Sequence, residues 1–309
     1  MIQQIHDIAA QLQAAYPKDE AEALAWWIAE ETTGLSRTQL QIGCKGTTNF
    51  SNLQEIIDRL LHFEPIQYIF GHTLWCGLDL KVTPATLIPR PETAELVESI
   101  QHSVFLSQGN DYFSNQYSVF SNQYSVFSNQ YSVFSNQYSE CRVLDIGTGS
   151  GCIAIALKKK HPEWQVTGID ISKEAIEVAK ENAKRNGVEV EFEVADIFDS
   201  RFSIIDYRYD LIVSNPPYIC ESEKVSMKPN VLNHEPATAL FVPDDDPLRF
   251  YRRIATLAAN RSPLVLFFEI NEAYPQEVSA MLESLGYSDI KVTNDMYGKP
   301  RIIEGRMAG

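Results

Sequence analysis

The sequence predicts an α/β fold, an open sheet preceded by a small helical domain and a β-hairpin connector. Three observations predict it. The runs Val143 to Ile146, Gln165 to Ile169 and Asp210 to Ser214 each read as a short buried strand that stops at glycine or polar residues. The first run enters a glycine turn and then a buried helix, Cys152 to Leu157, which is the strand, turn and helix of a nucleotide-binding unit. Ahead of these, residues 1–72 carry helical rather than strand periodicity.

In order along the chain, the apolar positions Ile5, Ile8, Ala9 and Leu12, then Leu24, Trp27 and Ile28, then Leu53, Ile56, Ile57, Leu60 and Leu61 mark amphipathic helices. Trp26 and Trp27 are expected to pack in that small core, with a partner-binding pair as the alternative. Residues 73–100 form the connector: Leu74 to Val82 is strand-like with Gly77 at a turn, and Ala94 to Ile100 reads as a helix. Between them, Leu87 to Thr93 holds two prolines that either wall a cofactor slot or shape the helix entry. Residues 101–140 carry a repeated Tyr-Ser-Val-Phe-Ser-Asn-Gln unit. A period of seven invites a coiled coil, but the unit lacks charge, Leu and Ala, so disorder or weak β association is expected and no catalytic role is assigned. The remaining 141–309 hold the sheet, with further strands at Val190 to Ala195 and Leu264 to Phe268. Helices are expected at Leu248 to Ala259 and Pro275 to Leu285, and an antiparallel pair at 290–292 and 301–303.

A chain of 309 residues is long enough for one large and one small domain. Its net charge of −15 disfavours stable binding to nucleic-acid phosphate. Cys44, Cys76, Cys141, Cys152 and Cys220 form no CxxC pair, and the six histidines show no metal spacing, so a reducing cytoplasm and no metal are expected. No signal peptide and no run of membrane-spanning length is read, and a monomer is expected. Asp244-Asp245-Asp246 is read as a helix N-terminus, Lys158 to His161 as a solvated helix end, and Asn233 to Pro236 as part of a long loop over the site.

The chemistry is carried by Asn215-Pro216-Pro217-Tyr218, at the carboxyl end of a strand. An amide or exocyclic nitrogen is a poor nucleophile because its lone pair is delocalised, and two acceptors for its N–H bonds keep density on nitrogen. The Asn215 side-chain oxygen and the Pro216 carbonyl can supply them, with Pro217 rigidifying the turn and Tyr218 stacking on the planar group. An ordinary proline-terminated strand is the plainer alternative. Upstream, Gly147-Thr148-Gly149-Ser150-Gly151 has GxGxG spacing, which argues against a dinucleotide. Asp170, nineteen positions after Gly151, can accept two ribose hydroxyls. Asp196 either accepts from an adenine amino group, with Ile197 covering the ring, or caps its own loop. A nucleoside slot beside an amino-group clamp points to methyl transfer from S-adenosylmethionine.

Together with Pro65 to Gly71, Ile88 to Thr93, Asp145 to Gly151 and Glu235-Pro236, these residues resemble the peptide-chain release factor glutamine N5-methyltransferases, the PrmC/HemK family, over nearly the whole chain outside the repeat. The resemblance implies a class I, Rossmann-like S-adenosylmethionine-dependent methyltransferase domain preceded by a helical domain that docks the release factor. It implies cofactor contacts at Gly147 to Gly151, Asp170, Ile197 and Asn215, and Asn215 to Tyr218 holding the glutamine of a Gly-Gly-Gln loop. The rivals are an adenine-N6 DNA or RNA methyltransferase, which the same clamp would serve, and a non-catalytic partner-binding protein of the same fold.

Overall fold

The computed structural model describes residues 2–44, 52–106, 141–202, 209–259 and 264–307; the heptad repeat of 112–139 lies outside them. Five helices open the chain: α1 (Ile2–Leu12), α2 (Lys18–Thr33), α3 (Arg37–Gln41), α4 (Leu53–Leu61) and α5 (Ile66–Phe70). Their core is Ile5, Ile8, Ala9 and Leu12 of α1 against Ala21, Ala25, Ile28 and Ala29 of α2, closed by Leu40, Ile57 and Leu60. The buried stripe of α2 is richer in alanine than the apolar pattern suggested. Small residues let two helices approach closely, which leaves Leu24, Trp26 and Trp27 partly buried at the margin of the core.

Strands β1 (His72–Trp75) and β2 (Leu78–Lys81) pair antiparallel, with Trp75 opposite Leu78. Cys76 (φ 50°) and Gly77 (φ 73°) make the two-residue turn, both left-handed, as the twist of a tight hairpin requires. Helix α6 (Pro91–Leu106) begins at Pro91 and continues six residues past the expected end at Ile100. Ser103 explains the extension: it is buried, its hydroxyl lies 3.4 Å from Glu304 Oε1, and it accepts from Arg306 at 2.7 Å.

The seven-stranded sheet contains β3 (Arg142–Ile146), β4 (Gln165–Asp170), β5 (Glu191–Val194), β6 (Leu211–Ser214), β9 (Leu264–Glu269), β10 (Tyr287–Asn294) and β11 (Pro300–Met307), ordered β10-β11-β9-β6-β3-β4-β5. Strands β5, β4, β3, β6 and β9 are parallel; β11 runs antiparallel to β9, and β10 antiparallel to β11. Chain order reverses between β3 and β6, so the carboxyl ends of these neighbours flank the crevice where open α/β sheets take ligands. One face of the sheet packs on α6, α7 (Cys152–Lys160) and α8 (Lys173–Asn186); α10 (Arg249–Ala258) and α11 (Pro275–Ser284) cover the other.

The hairpin is fastened to this domain by side-chain amides. Buried Asn182 of α8 accepts from Lys81 N at 2.6 Å and donates to Lys81 O and Ser150 O at 2.9 Å each, joining β2 to the glycine turn. His72 in turn faces Glu31 of α2 at 3.0 Å and Asp79 at 3.2 Å, linking the helical bundle to the hairpin.

Candidate active site

The glycine turn after β3 is welded to the end of β4. Gly147 N and Thr148 N both donate to Ile169 O at 2.9 Å, and Gly149 N donates to Asp170 Oδ2 at 2.9 Å. The other Asp170 oxygen accepts from Ser172 N at 2.9 Å. Burial raises the Asp170 carboxyl above its usual range, opposed by these backbone donors. Gly147 (φ 72°) and Gly149 (φ 55°) are left-handed, with open space where a Cβ would stand. Gly151 (φ 81°) meets a second constraint, because a Cβ there would stand 3.0 Å from Ile155 Cδ1 and 3.1 Å from Phe192 Cζ.

Beneath the turn lies Asp145, with no exposed surface. Its Oδ2 accepts from Thr148 Oγ1 at 2.6 Å and from Ala154 N at 3.3 Å, whereas buried Oδ1 has no protein partner, and neither has buried Ser150 Oγ. Burial pushes the Asp145 carboxyl up to about 7, with the charge of Asp170 adding to the rise and the Thr148 and Ala154 hydrogen bonds opposing it. Orphaned polar atoms under an open, left-handed glycine turn fit a polar ligand seated over it.

At the end of β5, exposed Asp196 accepts from Phe198 N at 2.8 Å, the loop-capping alternative of the two expected. Ile197 is only 7% exposed and packs in the sheet core, so it offers a ligand little surface. Ile171, next to Asp170, is 61% exposed and was not singled out in the sequence. An isolated apolar residue after a strand-end acid carries no pattern that marks it.

Asn215 follows β6, whose last residue, Ser214, donates to Ile146 O at 2.6 Å and so ties this strand end to the glycine turn. Asn215 Nδ2 donates to Thr93 Oγ1 at 3.2 Å, Thr93 Oγ1 donates to Glu269 Oε2 at 2.7 Å, and the Tyr218 hydroxyl donates to Glu269 Oε1 at 3.0 Å. Burial raises the Glu269 carboxyl, opposed by the Thr93 and Tyr218 hydrogen bonds and by Arg301. Tyr218 is also raised, by burial and then by Glu269. With Nδ2 engaged, Asn215 keeps Oδ1 for another donor. Leu87, Arg90, Asn215, Pro216, Tyr218 and Glu269, together with Met227, Val231 and Leu240, line a cavity of about 280 Å3.

Of the two purposes expected of Leu87 to Thr93, the helix entry is the one the structure shows, since Pro91 opens α6; Leu87 and Arg90, and neither proline of the segment, line the cavity beside Asn215. Arg90 Nη2 pairs with buried Glu235 Oε1 at 2.6 Å, and Ile88 N donates to Glu235 Oε2 at 3.3 Å. The region expected as a long loop is thus pinned, and it contains the parallel pair β7 (Ile219–Cys220) and β8 (Phe241–Val242) and the short helix α9 (Pro229–Leu232). The acidic triplet fills its expected role only in part. Asp246 pairs with Arg252 near the start of α10, but Asp244 accepts from Ser222 N and Oγ, and Leu248 holds the position before the helix without a side-chain cap. In the basic run at the end of α7, Lys159 and Lys160 are exposed as expected, whereas Lys158 Nζ donates to Pro162 O and Trp164 O.

Glu269 belongs to no motif in the sequence. Its only mark was a carboxylate closing the apolar run of β9, and its role depends on contacts with Thr93 and Tyr218 that are remote in sequence. No group of three or more potential metal ligands occurs among the described residues, and none of their helices is long and apolar enough to cross a membrane.

Two family models match the chain: the PrmC N-terminal domain over residues 3–71 and a methyltransferase domain over 137–254. Among curated relatives, the release factor glutamine methyltransferase of Bacteroides thetaiotaomicron is 42% identical over 305 residues, 96% of each chain. That of Flavobacterium psychrophilum is 34% identical over 301 residues, 95% of this chain and 94% of the relative. Among solved structures, the hMettl16 catalytic domain in complex with MAT2A 3′UTR hairpin 6 superposes with a TM-score of 0.52 at 16% identity. That match covers 75% of this chain and 77% of the other and bears on the fold alone.

Proposed function

Because the chain belongs to the release factor glutamine methyltransferase family, we propose that it methylates the side-chain amide nitrogen of the glutamine in the Gly-Gly-Gln segment of peptide-chain release factors. The observation that supports this reading most is the Asn215 carboxamide, held by Thr93 with its oxygen left to accept, at the wall of a cavity large enough for a glutamine side chain. Asn215 Oδ1 accepts one N–H of the substrate amide and the Pro216 carbonyl accepts the other. Two acceptors fix the nitrogen and keep its electron density on the atom that must attack. The Tyr218 ring lies against the plane of the amide, its hydroxyl anchored on Glu269.

S-adenosylmethionine, when bound, supplies an electrophilic methyl group and its own leaving group. Gly147 to Gly151 would hold it by backbone, with Thr148 and Ser150 shaping the turn, and the Asp170 carboxylate would accept its ribose hydroxyls. Asp196 and the small exposed edge of Ile197 would border the adenine, where exposed Ile171 would supply most of the apolar surface. Asn215 faces the cofactor and the substrate together. The chain's contribution to rate is therefore alignment and exclusion of water.

By this reading residues 1–72 dock the release factor, 73–100 connect, and 141–309 carry out transfer, as a cytoplasmic monomer without stable nucleic-acid binding. The test is mass spectrometry of the Gly-Gly-Gln peptide from an unmethylated release factor after incubation with this protein and S-adenosylmethionine. Gain of one methyl on the glutamine supports the proposal. No gain, together with methylation of adenine in an oligonucleotide, replaces it with the nucleic-acid reading.

A further inference from the structure

We infer that Thr93 and Glu269 are positioning residues that set which way the Asn215 carboxamide faces; this rests on the amide clamp proposed above. The oxygen and nitrogen of a carboxamide have nearly the same shape and opposite hydrogen-bonding sense. Turned the wrong way, Asn215 would present N–H to the N–H of a glutamine amide, and the clamp would repel its substrate. Shape cannot forbid that rotamer, so a neighbour must.

Thr93 Oγ1 is the atom that Asn215 Nδ2 meets, at 3.2 Å. A hydroxyl can donate as well as accept, and it enforces orientation only if its own proton is committed elsewhere. Glu269 Oε2 commits it, at 2.7 Å. An ionised carboxylate accepts only, and the second oxygen of Glu269 takes the Tyr218 proton at 3.0 Å. Hydrogen-bond direction therefore runs from Asn215 through Thr93 to Glu269, and separately from Tyr218 to Glu269. Both ends of the Asn215 to Tyr218 tetrapeptide are anchored on one carboxylate.

The fold places these groups without slack. Ser214 and Phe268 are partners in the parallel register of β6 and β9, so Asn215, the residue that follows β6, comes next to Glu269, the last residue of β9. Thr93 comes from the first turn of α6 and is 2% exposed; Glu269 is 1% exposed. At that burial, water does not readily replace a missing partner, and a broken link leaves Asn215 Nδ2 without its acceptor.

Thr93→Val keeps the shape and removes the hydroxyl, whereas Thr93→Ser keeps the hydroxyl. The expected result is a fall of at least about tenfold in kcat for Thr93→Val with affinity for S-adenosylmethionine within about twofold of the parent, and recovery of most of the rate in Thr93→Ser. In a double-mutant cycle, Thr93→Val should slow an Asn215→Ala enzyme much less than it slows the parent, because its main effect passes through Asn215. A readout independent of activity is the pair of side-chain NH2 resonances of Asn215 in 15N-labelled protein, which should move in Thr93→Val and stay in place in Thr93→Ser.

Unchanged resonances in Thr93→Val, a Thr93→Ser enzyme as slow as Thr93→Val, or additive losses in the cycle would overturn the inference. If the parent leaves the Gly-Gly-Gln peptide unmethylated, the proposed function falls, while the resonances still decide the orientation.

Discussion

Arg90 Nη2 lies 2.6 Å from Glu235 Oε1 and joins two cavity-wall segments that are 145 positions apart in the chain. The pair is lopsided: the Glu235 side chain is 1% exposed and that of Arg90 is 32% exposed. Removing the buried partner strips Ile88 N of its acceptor and leaves Arg90 able to turn toward water. Glu235→Ala should therefore cost about 2 kcal/mol, below the range for a pair buried at both ends. Urea unfolding gives that number. The same variant should raise KM for the release factor more than it lowers kcat, because the wall it loosens borders the substrate cavity and not the glycine turn.

Gly168 of β4 lies under Phe192 of β5, and a Cβ there would stand 2.7 Å from Phe192 Cδ1 and 2.8 Å from Thr148 Oγ1. The aromatic ring and the threonine that braces Asp145 thus compete for the space one methyl would take. Gly168→Ala should destabilise the protein by about 1–3 kcal/mol and weaken cofactor affinity as Thr148 is displaced. Phe192→Leu should recover part of the loss in the Gly168→Ala background while destabilising the parent. Thermal unfolding of the four proteins in the cycle measures this, and simple additivity would show that the clash is relieved elsewhere.

Strands and turn were legible because their patterns are local. β3, β4, β6 and β9 are apolar runs, and the tetrapeptide stands at a strand end that hydrophobicity alone marks. The hairpin was legible from Gly77. Gly168 was not, because its need for a bare Cα arises from a ring on the neighbouring strand. Nor was Glu269, because a carboxylate closing a strand is informative only once Thr93 and Tyr218 are known to reach it. At Asp196 the cap to Phe198 N is local and engages Oδ1 alone, so it is compatible with an adenine contact through Oδ2, and weighing the two needs the three-dimensional surroundings. The acidic triplet misled because Ser222, which binds Asp244, comes from a segment with no sequence signal linking it to the triplet.

Asp145 makes stability depend on pH with a definite sign. Its carboxyl is pushed by burial from the ordinary 3.8 up to about 7 in the folded protein. The folded state therefore binds more protons than the unfolded state between those values, and stability falls as pH rises from about 4 to about 7. Below that interval both states are protonated, and above it both are ionised. Asp145→Asn removes the titration and keeps an acceptor for Thr148 and Ala154. The stability of the variant relative to the parent should rise across the interval by more than about 1 kcal/mol and stay flat above it. Unfolding of the cofactor-free proteins at pH 4.5, 6 and 7.5, on the order of one pH unit or more apart, gives the curve. A pH-independent difference would mean that Asp145 is not the group that titrates.

Asn215→Ala separates binding from chemistry. Its Nδ2 is held by Thr93 from α6, and none of its side-chain hydrogen bonds reaches the glycine turn or Asp170, so the surfaces assigned to the cofactor survive the truncation. What disappears is the acceptor for one N–H of the substrate amide. Loss of a preorganised group aimed at the reacting centre typically costs on the order of 100-fold to 1000-fold in kcat. Affinity for S-adenosylmethionine, read by calorimetry, should change less than about fivefold, because Asn215 is one contact among many on that side. Parent-like turnover in the variant would remove Asn215 from the clamp. A cofactor affinity that fell in step with kcat would place its amide on the cofactor instead, and the Pro216 carbonyl and Tyr218 would be left to orient the glutamine alone.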